Sequence, residues 1–427
     1  MDVVYNHVPD ARNHPLGICV PGYYFRVDSF SGAGDDTASE REMFRNYMVD
    51  SLRHWLSEYK LCGFRFDLMG LHDVETMNAV REAAKKIKPD VLLYGEGWNM
   101  YRADKMVPAN MNHSRQLPGF GFFNDALRSG IKGSDFNEYN PGFIHSSCHR
   151  ESVKFGLVGA VYHPQIDTKK IDGTSNPEPW SEHTSASVSY TEIHDNATLN
   201  DKLRLVEFDR SEAHYEQLQK MALGLILAAQ GMPVLHAGME FMRTKEVPAL
   251  LIEENPDLPG IFWTADKKHA FSHNSYNLAD IVNGLDWERC AEKQHIVDYA
   301  RSLIRVRRTH PLFRLQTAEA VLNSLTFIEP DAEKTSETEI SPAASCSPAS
   351  LAWIIANTGV EDAWKAVCIV VNPGEEAFSF ILPEQKDSSW HLVTDSAGFF
   401  EEGQPEKIPG GSAVQIGIKT FNLYAAF

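Results

Sequence analysis

The segment "GFRFDLMG", Gly63 to Gly70, decides how this chain is read. Phe64, Phe66 and Leu68 alternate with Arg65 and Asp67, the two-residue period of a β-strand. Residues i and i+2 of a strand point to the same side, so Arg65 and Asp67 share a face. A guanidinium beside a carboxylate favours the ionised carboxylate. A strand that reads as buried therefore carries a held negative charge to its C-terminal end.

Strands and helices alternate on either side of that segment. "MDVVYNH" is a short apolar run ending in polar groups. "SEREMFRNYMVDSLRHWLSEYK" (39–60) carries a helical apolar stripe of Phe44, Tyr47, Met48, Leu52, Trp55, Leu56 and Tyr59, with Ser39 and Glu42 spaced as a capping box. A second helix is expected at about 73–88, with Asp73 as N-cap and Val74, Met77, Val80, Ala84 and Ile87 on its buried face. Further strands read as "VLLYGEGW" (91–98), "FGFFN" (120–124), "SVSYTEIHD" (187–195) and "MPVLHAG" (232–238). Further helices fall at about 213–229 and 291–308. Six strands interleaved with helices imply parallel pairing and right-handed crossovers. The pattern alone does not separate an α/β barrel from an open doubly wound sheet. Both place their sites at the C-terminal strand ends.

Beyond His310-Pro311 the texture changes. The runs "LAWIIA" (351–356), "AVCIVV" (366–371), "AFSFIL" (377–382), "VQIGI" (414–418) and "FNLYA" (421–425) are short and separated by turn residues, as in an antiparallel β-sandwich. The polar, Pro/Ser-rich stretch 330–350 reads as a mobile loop within it. Two domains are expected, 1–308 and 309–427.

Composition narrows the partners. The 58 acidic and 40 basic residues leave a net charge of −18, which repels nucleic acid and anionic lipid. No apolar run approaches the roughly 20 residues of a membrane span. The six cysteines are scattered without C-x-x-C spacing, so neither a zinc site nor a disulfide framework is expected. A neutral polyhydroxylated substrate tolerates such a surface.

The strand ends collect Asn6-His7, Arg65 and Asp67, Glu96, and His194-Asp195. Three carboxylates with histidines and an arginine suit acid–base work on a glycosidic bond. Arg65 beside Asp67 favours a charged nucleophile. Tyr94, Gly95, Gly97 and Trp98 around Glu96 make aromatic, partly dry surroundings, which raise a carboxyl pKa as a general acid needs. Taken singly, Arg65–Asp67 also reads as a structural ion pair and Glu96 as a turn cap. Their joint placement at successive strand ends favours chemistry. A retaining enzyme holds its two carboxylates about 5–5.5 Å apart and an inverting one about 6.5–9.5 Å, a distance the sequence does not supply.

Four segments, in order, resemble the signature segments of the α-amylase superfamily (glycoside hydrolase family 13): "DVVYNH" (2–7), "GFRFDLMGLHD" (63–73), "YGEGW" (94–98) and "YTEIHDN" (190–196). The wording is most similar to its bacterial pullulanase-type debranching branch. "VPGYYFR" (20–26), "DDTASER" (35–41), "FFNDALRSGIKGS" (122–134), "ATLNDKL" (197–203), "QGMPVLHAGMEFMRTK" (230–245) and "HNSYN" (273–277) add to that likeness. The resemblance implies a (β/α)8 TIM-type barrel followed by the sandwich. It implies Asp67 as nucleophile, Glu96 as general acid/base and Asp195 as the third carboxylate, with His7, Arg65 and His194 lining the cleaved sugar's site. Strand alternation would put His194 and Asp195 on opposite faces, so the chain is expected to be turning there. Trp98, Tyr23, Tyr24 and Tyr276 are candidate stacking platforms, with core packing as the alternative. Asn274, Tyr276 and Asn277 are implied on the leaving-group side.

The activity implied is double-displacement hydrolysis of α-1,6 branch linkages in pullulan, amylopectin or glycogen-type glucans. An α-1,4 amylase or amylopullulanase is the enzymatic alternative, and a catalytically silent glucan-binding fragment the alternative of another class. No cofactor is required for this chemistry; a calcium ion is compatible with it, and no metal ligand set is readable. The compartment, cytoplasmic or secreted, is not readable either. Against the family pattern, the chain begins inside the third barrel strand. A barrel lacking its first two strands leaves unpaired edges, so a start upstream of Met1 is expected. Residues 246–273 are longer than the family pattern and are expected either to cover the leaving-group side or to form a surface loop.

Overall fold

The computed structural model describes residues 1–329, 349–385, 388–400 and 406–427. The chain packs as two compact units. One comprises Met1–Asn124, Gly159–Val161 and Ser175–Val188. The other comprises Asp125–Val158, Tyr162–Thr174 and Ser189–Phe427.

The first unit is built on a parallel sheet. Its strands lie in the order Asp2–Val3, Gly63–Phe66, Leu92–Gly95, Phe120–Phe123 and then Ser187–Ser189, of which the first two residues belong to this unit. Asp2 stands opposite Arg65, Phe66 opposite Gly95, and Phe122 opposite Ser187. Phe64, Phe66, Leu93, Phe120 and Phe122 are almost fully buried, as near-continuous apolar strands covered on both faces must be. The helix Val74–Ile87 buries Val74, Met77, Val80 and Ala84, and Asp73 caps it by accepting from the Thr76 amide at 2.8 Å. Ile87, expected on that buried face, is exposed.

The capping box is not formed. Ser39 donates instead to Asp73 Oδ2 at 2.7 Å, and the helix begins three residues later, as Glu42–Glu58 with Arg41 at its N-cap. Its buried stripe is Phe44, Met48, Leu52 and Leu56, while Tyr47 and Tyr59 face solvent.

In the second unit the helices Glu212–Ala228 and Gln294–Thr309 stand close to the expected places. The strand expected over 187–195 ends at Ser189, and the one over 232–238 is only Met232–Pro233. Val234 N donates to Ser189 O at 2.9 Å. The C-terminal part forms a five-stranded antiparallel sheet, ordered Leu325–Ile328, Leu351–Ala356, Ala366–Asn372, Thr420–Ala426, Trp390–Thr394. A two-stranded sheet pairs Phe378–Ile381 with Ala413–Ile416. Cys368, Val370, Trp390 and Tyr424 from the larger sheet pack with Phe380 and Ile416 of the smaller in one core, a sandwich arrangement. The strands Leu325–Ile328 and Trp390–Thr394 are additions to the sequence reading. The loop expected at 330–350 lies outside the described residues except for its last two positions. Among the described residues no helix is long and apolar enough to cross a membrane.

Candidate active site

The parallel sheet places Arg65 in mid-strand and ends immediately after it. Asp67 N donates to Val3 O at 3.1 Å, and the next residue, Leu68, turns into the left-handed region at φ 38°. A leucine held there is strained. The strain is held in place by Glu96, whose Oε2 accepts from the Leu68 amide at 2.9 Å. A short 3-10 turn, Met69–Leu71, follows. A Cβ on Gly70 would meet the Trp98 carbonyl oxygen at 2.2 Å, so only glycine lets these two segments approach.

One guanidinium joins two of the carboxylates. Arg65 Nη1 donates to Asp67 Oδ1 at 2.9 Å, and Nη2 stands 2.8 Å from Glu96 Oε1. The second contact has ion-pair distance without hydrogen-bond alignment. Asp2 lies farther off, 3.6 Å from Nε, and is mostly exposed. Burial disfavours the Arg65 charge, but Glu96, Asp67 and Asp2 together outweigh it and raise its pKa. Arg65 also lies over the Phe123 ring at 5.8 Å.

Asn6, at a strand end, does more than its place in the sequence implies. It is fully buried, its Nδ2 donates to Asp67 Oδ2 at 2.9 Å, and its Oδ1 meets His7 Nδ1 at 3.0 Å. Asp67 is thus held on both oxygens, by Arg65 and Asn6. The contrast expected between Asp67 and Glu96 is different in kind: both share Arg65, and they differ in enclosure. The Asp67 side chain is 22% exposed and that of Glu96 is 8%. Trp98, two residues beyond Glu96, is half-buried, Tyr23 is half-buried, and Tyr24 is buried edge-on against Phe44 as a core residue.

In the second unit the strand has ended before His194 and Asp195, and Asn196 takes φ 60°, so the chain is turning where alternation would have failed. His194 Nε2 and Asp195 Oδ2 are 3.5 Å apart and both half-exposed. The turn rests on a buried polar frame. Glu192 accepts from the Leu199 amide at 2.6 Å and pairs with His236 Nδ1 at 2.9 Å. Arg243 Nη1 donates to His236 Nε2 at 3.0 Å, which leaves the His236 proton on Nδ1, facing Glu192. Buried Lys245 donates to the carbonyls of His194 and Asn196.

Asn274, Tyr276 and Asn277 lie on an exposed loop, Tyr276 at 81%. The loop is anchored by Asn283 Nδ2, which donates to Ser275 O at 2.6 Å. Just before it, the 246–273 segment forms a helix, Ala249–Glu254, and a hairpin of Ile261–Trp263 with Ala270–Ser272. Tyr139 Oη donates to Trp263 O at 2.9 Å, and His273 pairs with Glu138 at 2.6 Å.

Comparison with known proteins agrees with the motifs. Residues 324–425 match the family model described as "Isoamylase, C-terminal". The chain is 32% identical over 434 residues to the pullulanase of Bacillus subtilis (strain 168), aligning over 100% of its own length and 53% of that protein. The pullulanase type I structure from the same strain, complexed with maltose, superposes with TM-score 0.81 at 30% identity, covering 100% of this chain and 53% of that one. A Paenibacillus barengoltzii pullulanase, in complex with maltohexaose and α-cyclodextrin, gives 0.79 at 33% identity, with 100% and 58% covered. The chain spans about half the length of the Bacillus subtilis protein and about a quarter of the pullulanase A of Streptococcus pneumoniae serotype 2 (strain D39 / NCTC 7466). Similar over its whole length to these pullulanases, and matching the isoamylase C-terminal family over residues 324–425, the chain is consistent with a pullulanase-like protein of glycoside hydrolase family 13.

Proposed function

We propose that the protein is a retaining debranching glycosidase that cleaves α-1,6 linkages in α-glucans such as pullulan, amylopectin or glycogen. Its barrel would be of the (β/α)8 type, with 1–308 as catalytic domain and 309–427 as the sandwich domain. The observation that carries the reading is the Arg65 guanidinium bridging Asp67 and Glu96 at the ends of adjacent parallel strands. Relatives solved with maltose, maltohexaose and α-cyclodextrin support an α-glucan substrate.

In this mechanism Asp67 attacks the anomeric carbon while Glu96 protonates the leaving oxygen. The attacking carboxylate becomes a neutral ester as the acid becomes a carboxylate, so one negative charge passes from one residue to the other. A fixed cation touching both compensates that charge throughout without moving. Water, deprotonated by Glu96, then releases the sugar with retained α configuration. Asp195 acts as the third carboxylate, stabilising the transition state. His7, His194, Trp98, Asn274, Tyr276 and Asn277 contact the substrate. The test is release of maltotriose from pullulan compared with hydrolysis of amylose, by the protein and by Asp67→Asn. Cleavage of pullulan that Asp67→Asn abolishes supports the reading. Cleavage of amylose alone transfers it to α-1,4 hydrolysis, and binding of either glucan without hydrolysis makes the protein a glucan-binding module.

A further inference from the structure

Lys245 is a buried lysine facing backbone rather than a single counter-ion. Its Nζ donates to the carbonyl of His194 and, at 2.8 Å, to that of Asn196, the residues either side of Asp195. Its backbone is fixed as well. Lys245 N donates to Asp201 Oδ2 at 2.8 Å, and its carbonyl accepts from Ser272 N at 3.0 Å. Asn196 sits at φ 60°, in the left-handed region that asparagine tolerates better than most residues, and so marks the turn. A second buried lysine, Lys132, reaches the next carbonyl, Ala197 O, at 3.3 Å. Of the four consecutive carbonyls from His194 to Ala197, all but that of Asp195 are thereby held by ammonium groups.

We propose that Lys245 is the positioning residue of Asp195: its ammonium charge holds the 194–196 turn in the form that presents the third carboxylate. This rests on the glycosidase reading above. The alternative use of a buried lysine, as a structural counter-ion, fits less well. The charged groups facing it are Asp201 on the helix Leu199–Val206, Glu192 and Asp195 on the preceding loop, and the repelling Arg243 on its own segment. Burial outweighs the acidic neighbours and pushes the ammonium down to about 8. The charge therefore works against the stability of the fold while it serves the turn. A lysine with a lowered folded pKa makes the protein more stable as pH rises from about 8 toward the unfolded value, whereas the turn loses its clamp over the same rise.

The test uses Lys245→Met, with Lys245→Gln as a second variant that keeps one donor. Hydrogen exchange over residues 190–199 is followed in the ligand-free protein from pH 6.5 to 9.5, corrected for intrinsic rates. The wild type should lose protection of this segment above pH 8, by about tenfold, the equivalent of one charge-assisted hydrogen bond. Lys245→Met should lack that protection at every pH, and Lys245→Gln should stand between without a pH step. Turnover of an α-maltotriosyl fluoride, whose leaving group needs no proton, should fall about 100-fold in Lys245→Met with KM little changed. The wild-type profile on this substrate should decline near pH 8, and the variant profile should be flat there. Equal protection of wild type and Lys245→Met overturns the proposal, as does an unchanged turnover. A wild type without glycosidase activity but with the pH-dependent protection retains the clamp and removes the glycosidase reading instead.

Discussion

Replacing Arg65 by methionine tests the electrostatics of the site. The side chain is buried and touches carboxylates at 2.9 Å and 2.8 Å. Asp2 is mostly exposed and adds only what a surface pair is worth, ~0–1 kcal/mol. Asp67 is partly open to water and can recover some solvation. Glu96 is enclosed and cannot. Removing one partner of a buried pair leaves the other uncompensated, at about 3–5 kcal/mol, and most of that falls on Glu96. In a unit of roughly 140 residues this lowers the midpoint of its thermal transition by about 10 °C or more. The deficit also has a pH signature. Without Arg65, burial raises the pKa of Glu96. The variant then takes up a proton on folding, and its disadvantage is full at pH 8 and shrinks toward pH 5. Scanning calorimetry at the two pH values, resolving the transition of the unit that contains the parallel sheet, measures both effects. Adding Glu96→Gln to Arg65→Met should restore most of the loss at pH 8. A single variant as stable as wild type, or a deficit equal at both pH values, refutes the reasoning.

Other perturbations test separate parts of the fold. Asp73→Ala removes the cap to Thr76 and the acceptor of Ser39 together, and should cost about 2 kcal/mol by calorimetry, with Asp73→Asn recovering part of it. Gly224→Ala drives a methyl to 2.5 Å from the Phe421 ring, where helix Glu212–Ala228 meets strand Thr420–Ala426. It should destabilise the second unit by roughly 1–3 kcal/mol, and a neutral result would show that this contact gives way. Burial, reinforced by Arg26, pushes the fully buried His72 imidazole down to about 4. The unfolded chain then binds the extra proton between about pH 6.5 and 4, so stability falls with pH across that window by up to roughly 3 kcal/mol. Thermal scans of His72→Gln should show a shallower slope than wild type between pH 6.5 and 4.5.

The alternation of Phe64, Arg65, Phe66 and Asp67 disclosed both a buried strand and the charge it delivers, because a period of two is a local property. The helix of Val74, Met77, Val80 and Ala84 was equally legible, cap included. Reach across the sheet was not. Arg65 contacts Glu96 because parallel pairing sets Phe66 opposite Gly95, and no window of sequence contains both. Ser39 had the spacing of a capping box, yet Asp73, 34 residues away, took its hydroxyl. The same holds for Lys245, whose partners are two carbonyls about 50 residues upstream, and carbonyls leave no mark in a sequence. In the sandwich, Leu325–Ile328 was hidden by the helix Ala318–Ser324 that runs directly into it.

The proposed role of Asp67 as nucleophile of a retaining α-glucan hydrolase is best tested by trapping the glycosyl–enzyme. The protein is incubated with a 5-fluoro-α-glucosyl fluoride, digested, and its peptides sequenced by mass spectrometry. One added glycosyl group is expected, esterified to Asp67 and absent from Asp67→Asn. A label on another residue, or a glucan hydrolysed with inversion and no label at all, would contradict that role.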